Sequence, residues 1–143
     1  QRGRLDGAVA TLGDRVVLDG HLTRDEYEAV IAAASIVVST AAQEFFGISI
    51  IEAMHAGAFP MLPRRLVYPE RIPAALHACC LYDTPTGAVR LLGEALDDPA
   101  MRTAAAATLR AGTAGFDWRQ VAPAYDDWLG ALAGSSVAYR GGS

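Results

Sequence analysis

Short runs of consecutive apolar residues alternate along the chain with longer stretches in which apolar positions recur every three or four residues. Continuous apolar runs are typical of parallel strands covered on both faces, whereas a sheet with one solvated face shows apolar and polar residues in alternation. The runs predict buried strands at residues 16–18, 36–38, 59–62 and 79–82. Pro60 lies inside the third run and favours an edge or bulged position for that strand.

The stretches between the runs carry capping residues, first-turn prolines and terminal glycines, which begin and end helices. The predicted helices run from residue 23 or 25 to 34, from 47 to 55, from 84 through 96, from 99 toward 112, and from about 117 to 132. Val89, Leu92 and Leu96 are predicted to face the core. Tyr125 and Trp128 of the last helix are predicted to lie in the core or to contact another lobe.

This alternation of strands and helices predicts an α/β domain, with a Rossmann-like parallel sheet, helices on both faces and right-handed crossovers. The chain of 143 residues has the size of one domain. We place that domain at residues 1–133, followed by a flexible tail at residues 134–143. Ligands of such sheets bind beyond the carboxyl ends of the strands, so the loop after residues 36–38 is the candidate site.

The composition narrows the chemistry that this domain can perform. Apolar residues make up 52% of the chain and charged residues 20%, which excludes a disordered or low-complexity protein. The net charge of −4 argues against a general nucleic-acid binder, which needs a basic face. All 12 cationic residues are arginines, so no lysine is available as a phosphate ligand, Schiff-base nucleophile or general base.

The remaining features concern the compartment and the extent of the chain. Cys79 and Cys80 are adjacent and cannot link distant segments, so we expect a reducing compartment and a buried strand at the pair. No apolar run approaches the roughly 20 residues needed to cross a bilayer, and we predict a cytoplasmic protein without a membrane segment. The sequence begins with Gln1 rather than methionine, so we expect it to be part of a longer protein.

The loop after residues 36–38 carries the candidate site. It is polar, contains Glu44, and leads through Gly47 into a helix that bears Glu52 eight positions after Glu44. A glycine at a helix start leaves the first backbone N–H groups open to an anion, and this arrangement needs no lysine. The two carboxylates can accept hydrogen bonds from hydroxyl groups. The predicted ligand therefore combines a diphosphate with several hydroxyls, as a nucleotide sugar does.

These residues resemble a known family. Glu44 and Glu52 with seven residues between them, the embedded Phe46-Gly47, and the following Ala53-Met54-x-Ala56-Gly57 are similar to the donor site of retaining GT-B glycosyltransferases of family 4. Residues 43–48 and 60–73, which end in Tyr-Pro-Glu-Arg-Ile-Pro, are similar to the tRNA-queuosine alpha-mannosyltransferase branch of that family. The resemblance implies the C-terminal lobe of a GT-B fold, with its first strand missing here.

The resemblance also implies roles for individual residues. Glu44 would be the catalytic residue that holds hydroxyls of the donor hexose. The N–H groups of Phe46, Gly47 and Ile48 would face the sugar and its leaving diphosphate, and Glu52 would bind the ribose. The loop of Gly20 and His21 would lie near the nucleobase.

The implied partners are a nucleotide sugar, with GDP-mannose as the expected donor, an N-terminal GT-B lobe, and tRNA as the acceptor. No other cofactor and no metal are expected. Two alternatives remain open: a family 4 enzyme with a lipid, glycan or small-molecule acceptor, and a module that binds a nucleotide sugar without catalysis. We predict that the chain alone has no transferase activity.

Several other residues have two interpretations from sequence. Arg64 and Arg65 contact a diphosphate or the tRNA backbone, or else cap the edge of the sheet. Glu70 holds the arginine-rich loop or touches the donor. His55 and His77 have no metal-ligand spacing and are predicted to be structural histidines with satisfied hydrogen bonds.

Overall fold

The computed structural model of the chain describes residues 2–18 and 20–138. The chain divides after residue 30 into two compact units. The first unit contains helix α1 (Arg2–Leu12), a 3-10 turn at Gly13–Arg15 and most of helix α2 (Arg24–Ala33).

The second unit carries the sheet. Its strands are β1 (Ile36–Val38), β2 (Phe59–Pro63) and β3 (Leu81–Tyr82), and its helices are α3 (Ile48–Ala56), α4 (Tyr68–Arg71), α5 (His77–Cys80), α6 (Pro85–Asp97), α7 (Pro99–Gly112) and α8 (Trp118–Ala138). Single 3-10 turns lie at Ala74–Leu76 and Thr113–Phe116. The strands are parallel and the helices flank them, which confirms the predicted α/β class.

Strand β2 is the centre of the sheet, in the order β1-β2-β3. Ile36 of β1 lies opposite Phe59, and Leu81 of β3 lies opposite Leu62. All five residues of β2 are buried. Because successive side chains of a strand point to opposite faces, complete burial means that both faces of β2 are covered, as its continuous apolar run predicts.

The prediction that Pro60 lies in an edge or bulged strand is wrong, because β2 is central. The Phe59 amide donates to Ser35 O, and Met61 O accepts from the Ser39 amide, so the odd-numbered residues of β2 bond toward β1. The nitrogen of Pro60 therefore faces the β3 side. Strand β3 begins only opposite Leu62, and so the missing N–H costs the sheet no hydrogen bond.

The predicted strand at residues 16–18 is also wrong. These residues follow the Gly13–Arg15 turn without joining a sheet, and Val17 is 88% exposed. An isolated extended run gains neither ladder hydrogen bonds nor buried apolar area. Three β-branched or aliphatic residues alone supply too little of either to hold a strand.

The predicted strand at residues 79–82 is half correct. Leu81 and Tyr82 form β3, but Cys79 and Cys80 complete α5. The Leu81 amide closes this helical turn by donating to His77 O. As a result the two thiols lie on the same side, with their sulfurs 3.8 Å apart, although Cys80 is buried as expected.

Helices α6 and α7 begin where their caps and prolines predict, but α6 uses a different face. It buries Leu91 and Ala95, whereas the predicted core residues Val89, Leu92 and Leu96 are exposed. An apolar residue on a helix thus does not by itself identify the buried side.

Helix α8 runs to Ala138, so residues 134–138 of the predicted flexible tail are helical, and residues 139–143 lie outside the described residues. Tyr125 and Trp128 are more than half exposed, which excludes the predicted core position within this chain. Neither α8 nor another helix of the described residues combines the length and apolarity needed to cross a membrane.

Candidate functional site

The candidate site lies at the carboxyl edge of the sheet, where the three strands end. Two loops leave this edge side by side: residues 39–47 connect β1 to α3, and residues 64–67 connect β2 to α4. We call them the 39–47 loop and the 64–67 loop. Because neighbouring parallel strands end at the same edge, these loops form one surface.

A tyrosine and serine network fixes the start of the 39–47 loop. The Tyr82 hydroxyl, at the end of β3, donates to Ser39 O at 2.6 Å. The Ser39 hydroxyl lies 2.7 Å from the Tyr68 hydroxyl of α4 and accepts from the Ala41 amide. Burial raises the pKa of Tyr82, against an opposing effect of Arg65, so its hydroxyl keeps the proton that it donates.

The two arginines after β2 link the 64–67 loop to its neighbours at the sheet edge. Arg65 donates through Nε and Nη2 to Ala41 O, at 3.3 and 2.9 Å, and so joins the 64–67 loop to the 39–47 loop. Arg64 lies 3.4 Å from both Asp83 Oδ1 and His77 O. Both side chains therefore have a structural role at the sheet edge, and both remain exposed enough to meet an anion.

Leu66 in the 64–67 loop adopts a left-handed conformation, with φ of 61°. This conformation is uncommon for a residue with a large side chain and costs of the order of 1–3 kcal/mol. The loop is therefore held in a strained shape by its anchors. Such strain is concentrated at ligand-binding sites in proteins.

The Glu44 carboxylate holds the turn that leads into α3. Its Oε1 accepts from the amides of Phe45, Phe46 and Gly47, at 3.0, 3.3 and 3.0 Å. A carboxylate in this place is stabilised by the positive end of the helix dipole. Two of the amides predicted to meet a ligand, those of Phe46 and Gly47, are therefore engaged by Glu44. The Ile48 and Ser49 amides come next, beyond the reach of the helix's own carbonyls.

Gly47 is the N-cap of α3, as predicted, and its φ of 80° lies in the left-handed region that glycine adopts readily. It is buried rather than open. A Cβ at this position would lie 3.6 Å from Tyr68 Cε1 and 3.7 Å from Val67 Cγ1. These are ordinary van der Waals distances, so the left-handed turn, rather than a lack of space, requires glycine here.

Glu52 lies on the partly exposed side of α3. The opposite side of the helix is buried through Ile50, Ile51, Ala53 and Met54. Ile48 is 62% exposed and precedes Glu52 by one helical turn, so both belong to one face. The Ile48 amide lies at the start of this face, and the Glu52 carboxylate lies one turn further along it. It can thus present a hydrogen-bond donor and an acceptor to the same extended ligand.

Arg71 was not singled out from the sequence, yet it contacts the candidate site. Its Nε donates to Phe46 O at 3.2 Å, and its guanidinium lies 4.4 Å from the centre of the Phe46 ring. Glu70, beside it, is exposed and borders a cavity of about 280 Å³ with Arg71 and Phe116. No local pattern indicates this contact of Arg71, because Phe46 is 25 residues away in the sequence.

The predictions for the histidines are confirmed. His55 Nδ1 donates to the Thr113 hydroxyl at 3.0 Å, since that hydroxyl already donates to Arg110 O. His77 Nε2 donates to Ile72 O and Pro69 O, at 2.8 and 3.1 Å. Among the side chains that the structure describes, no group of three or more His, Cys, Asp and Glu residues is arranged to hold a metal ion.

Gly20 and His21 belong to the first unit and are both exposed. Gly20 has a φ of 136°, a conformation that favours glycine. The predicted position of this loop near a nucleobase stays a prediction.

The second unit is therefore an α/β domain that carries a glycine-capped helix and a carboxylate-bearing loop at the carboxyl edge of its parallel sheet. No protein-family model matches the chain. Over 62 residues it is 47% identical to the tRNA-queuosine alpha-mannosyltransferase of Drosophila melanogaster. The aligned segment covers 43% of this chain but 16% of that enzyme. This similarity supports a glycosyltransferase relationship for the chain.

Proposed function

We propose that the chain is the donor-binding part of a retaining GT-B glycosyltransferase of family 4. In this proposal the donor is GDP-mannose and the acceptor is queuosine in tRNA. The observation that carries it is the 47% identity to a tRNA-queuosine alpha-mannosyltransferase, together with the glycine-capped start of α3 at the sheet edge. The rest of the enzyme, including the lobe that binds the acceptor, belongs to the proposal as its partner.

The start of α3 supplies the proposed diphosphate site. The Ile48 and Ser49 amides and the positive end of the helix dipole attract an anion without help from lysine. Arg65 stands on the adjacent loop, and its guanidinium can contact a phosphate oxygen in addition to Ala41 O. Glu52, one turn further along the exposed face of α3, accepts hydrogen bonds from the ribose hydroxyls of the same ligand.

Glu44 has to change partners when the donor binds. While its carboxylate accepts from the Phe46 and Gly47 amides, a diphosphate cannot use those amides without placing two anions side by side. We therefore propose that Glu44 turns from these amides to the hydroxyls of the sugar. The amides become free for the leaving group, and the carboxylate stabilises the positive charge that develops at the anomeric carbon.

A non-catalytic nucleotide-sugar module is the second candidate. The three amide hydrogen bonds of Glu44 favour it, because a carboxylate that only holds the turn before α3 performs no chemistry. The two functions differ in what Glu44 does for turnover. In the enzyme, Glu44→Ala lowers kcat more than it lowers GDP affinity, whereas the loss of a purely structural carboxylate affects both only through stability.

The proposal predicts that this chain binds GDP and GDP-mannose, measured by isothermal titration calorimetry. Glu52→Gln removes a charged acceptor and should weaken binding about 10- to 100-fold. Glu94→Gln makes the same exchange on the exposed side of α6 and should leave binding unchanged. Absence of binding by the unaltered chain contradicts the proposed donor site, and equal affinities for Glu52→Gln and the unaltered chain contradict the ribose role.

The acceptor is tested with the complete enzyme. Mannose transfer from GDP-mannose should occur to tRNA that contains queuosine and not to the same tRNA without it. Transfer to neither tRNA, combined with GDP-mannose binding, would favour a different acceptor or the non-catalytic module.

A further inference from the structure

Arg71, the last residue of α4, contacts two residues from distant parts of the chain, Phe46 and Phe116. Its Nε donates to Phe46 O at 3.2 Å. Its guanidinium lies 4.4 Å from the Phe46 ring centre and 5.3 Å from that of Phe116. The two rings meet edge to face, with their centroids 5.7 Å apart. A planar cation can stack on a ring and donate in the same plane, which suits arginine better than lysine.

The carbonyl that Arg71 holds belongs to the same peptide group as the Gly47 amide. In a trans peptide the C=O and the N–H point in opposite directions. Arg71 therefore holds the oxygen side of this peptide, and Glu44 Oε1 holds the N–H side at 3.0 Å. The peptide is fixed from both sides at the entrance to α3.

This peptide needs such support because glycine follows it. Rotation of a peptide group changes ψ of the residue before it and φ of the residue after it. Gly47 has a φ of 80°, and glycine adopts negative φ about as readily. Without a tether on Phe46 O, the peptide can therefore turn its N–H away from the site at little cost. Once Glu44 has released the N–H, Arg71 is the tether that the structure provides for this carbonyl.

We propose that Arg71 is a positioning residue that keeps the Gly47 N–H directed into the ligand site. It acts on the ligand through the peptide rather than by contact. The ligand part of this inference rests on the proposed function. The orientation of the peptide in the free chain does not, and it can be measured separately.

The first test uses the free chain and nuclear magnetic resonance. In Arg71→Gln, we expect a changed Gly47 amide shift and amide hydrogen exchange about tenfold faster, as for the loss of ~1.4 kcal/mol of local protection. Exchange at the buried Met61 amide should stay the same, which separates this effect from general loss of stability. Arg90→Gln, on the exposed side of α6, is the matched control and should change neither amide. An unchanged Gly47 amide in Arg71→Gln overturns the proposal.

The second test titrates GDP into the same variants. Arg71→Gln should weaken GDP binding about tenfold, a loss within the range for one hydrogen bond of a charged donor. Arg71→Lys keeps the charge but loses the planar stacking, and it should bind GDP as weakly as Arg71→Gln. Full recovery in Arg71→Lys would assign the effect to charge alone and overturn the positioning role. If the unaltered chain does not bind GDP, the proposed function fails, and the amide measurement still decides whether Arg71 orients the peptide.

Discussion

Gly47 shows how one residue connects the fold to the candidate site. Its left-handed backbone turns the chain from the 39–47 loop into α3, and the same turn places the Phe45, Phe46 and Gly47 amides around the Glu44 carboxylate. A lack of space for a side chain is not what requires glycine at this position. A Cβ there would make ordinary contacts of 3.6 and 3.7 Å with the α4 segment. The requirement for glycine therefore comes from φ.

We predict that Gly47→Ala destabilises the chain by about 1–2 kcal/mol, the cost of a left-handed conformation for a residue with a Cβ. Gly47→Asn should cost less, because asparagine tolerates this region better. Gly93→Ala is the control: Gly93 lies inside α6 with nothing near its missing Cβ, and the exchange should stabilise by roughly 0.5–1 kcal/mol. Urea unfolding measures all three. Equal stability of Gly47→Ala and the unaltered chain would contradict a conformational requirement for glycine.

The residues of the site that act on near neighbours in the sequence were predictable, whereas those that act on distant residues were not. Glu44 and Gly47 lie within four positions of each other, so their spacing relative to a helix start could be interpreted. Tyr68 and Arg71 act on Ser39 and Phe46, which are 29 and 25 positions away. No periodicity links such pairs, because they meet only after β1 and β2 have paired.

Among the elements, the helices with a chemical start signal were predicted well. Thr84 caps α6 by accepting from the Gly87 amide at 3.0 Å, and Asp98 caps α7 in the same way. The errors concern segments whose structure depends on a neighbour. Pro60 is tolerated in a central strand because β3 starts late, and residues 79–80 are helical because α5 closes on His77 O. The apolar composition of these segments indicates neither where β3 starts nor that α5 closes on His77 O.

The capping of α6 yields an element-scale prediction. Thr84→Ala removes the side chain that accepts from the Gly87 amide and should destabilise the chain by about 1 kcal/mol. Helix α6 buries Leu91 and Ala95 in the core, so fraying of its first turn lowers the stability of the whole unit. Thr103→Ala in α7 is the control, because that hydroxyl only donates back to Pro99 O in an exposed turn. A loss of equal size in both variants would contradict the capping argument.

At the scale of the whole molecule, Cys80 and Tyr82 beside β3 make stability sensitive to alkali. Burial raises the pKa of the Cys80 thiol above its ordinary 9.0, with a smaller contribution from Cys79. Burial likewise raises the pKa of Tyr82 above 10.0. Above these ordinary pKa values, each group is still protonated in the folded chain but has lost its proton in the unfolded chain. The unfolded state then binds fewer protons, so the free energy of unfolding decreases as pH rises.

We therefore predict that the free energy of unfolding, measured in urea from pH 7 upward, is constant at first and falls above about pH 9, where an unfolded thiol ionises. Cys80→Ala should remove the part of the fall that begins there. Tyr82→Phe should remove the part that begins near pH 10, and it should also lower stability at every pH by about 1 kcal/mol, because the hydrogen bond to Ser39 O is lost. Tyr125→Phe, on the exposed face of α8, should leave the profile as it is. The Cys80→Ala, Tyr82→Phe double variant lacks both groups whose protons burial retains. If its free energy of unfolding decreases with pH as much as that of the unaltered chain, these two groups are not the origin of the decrease.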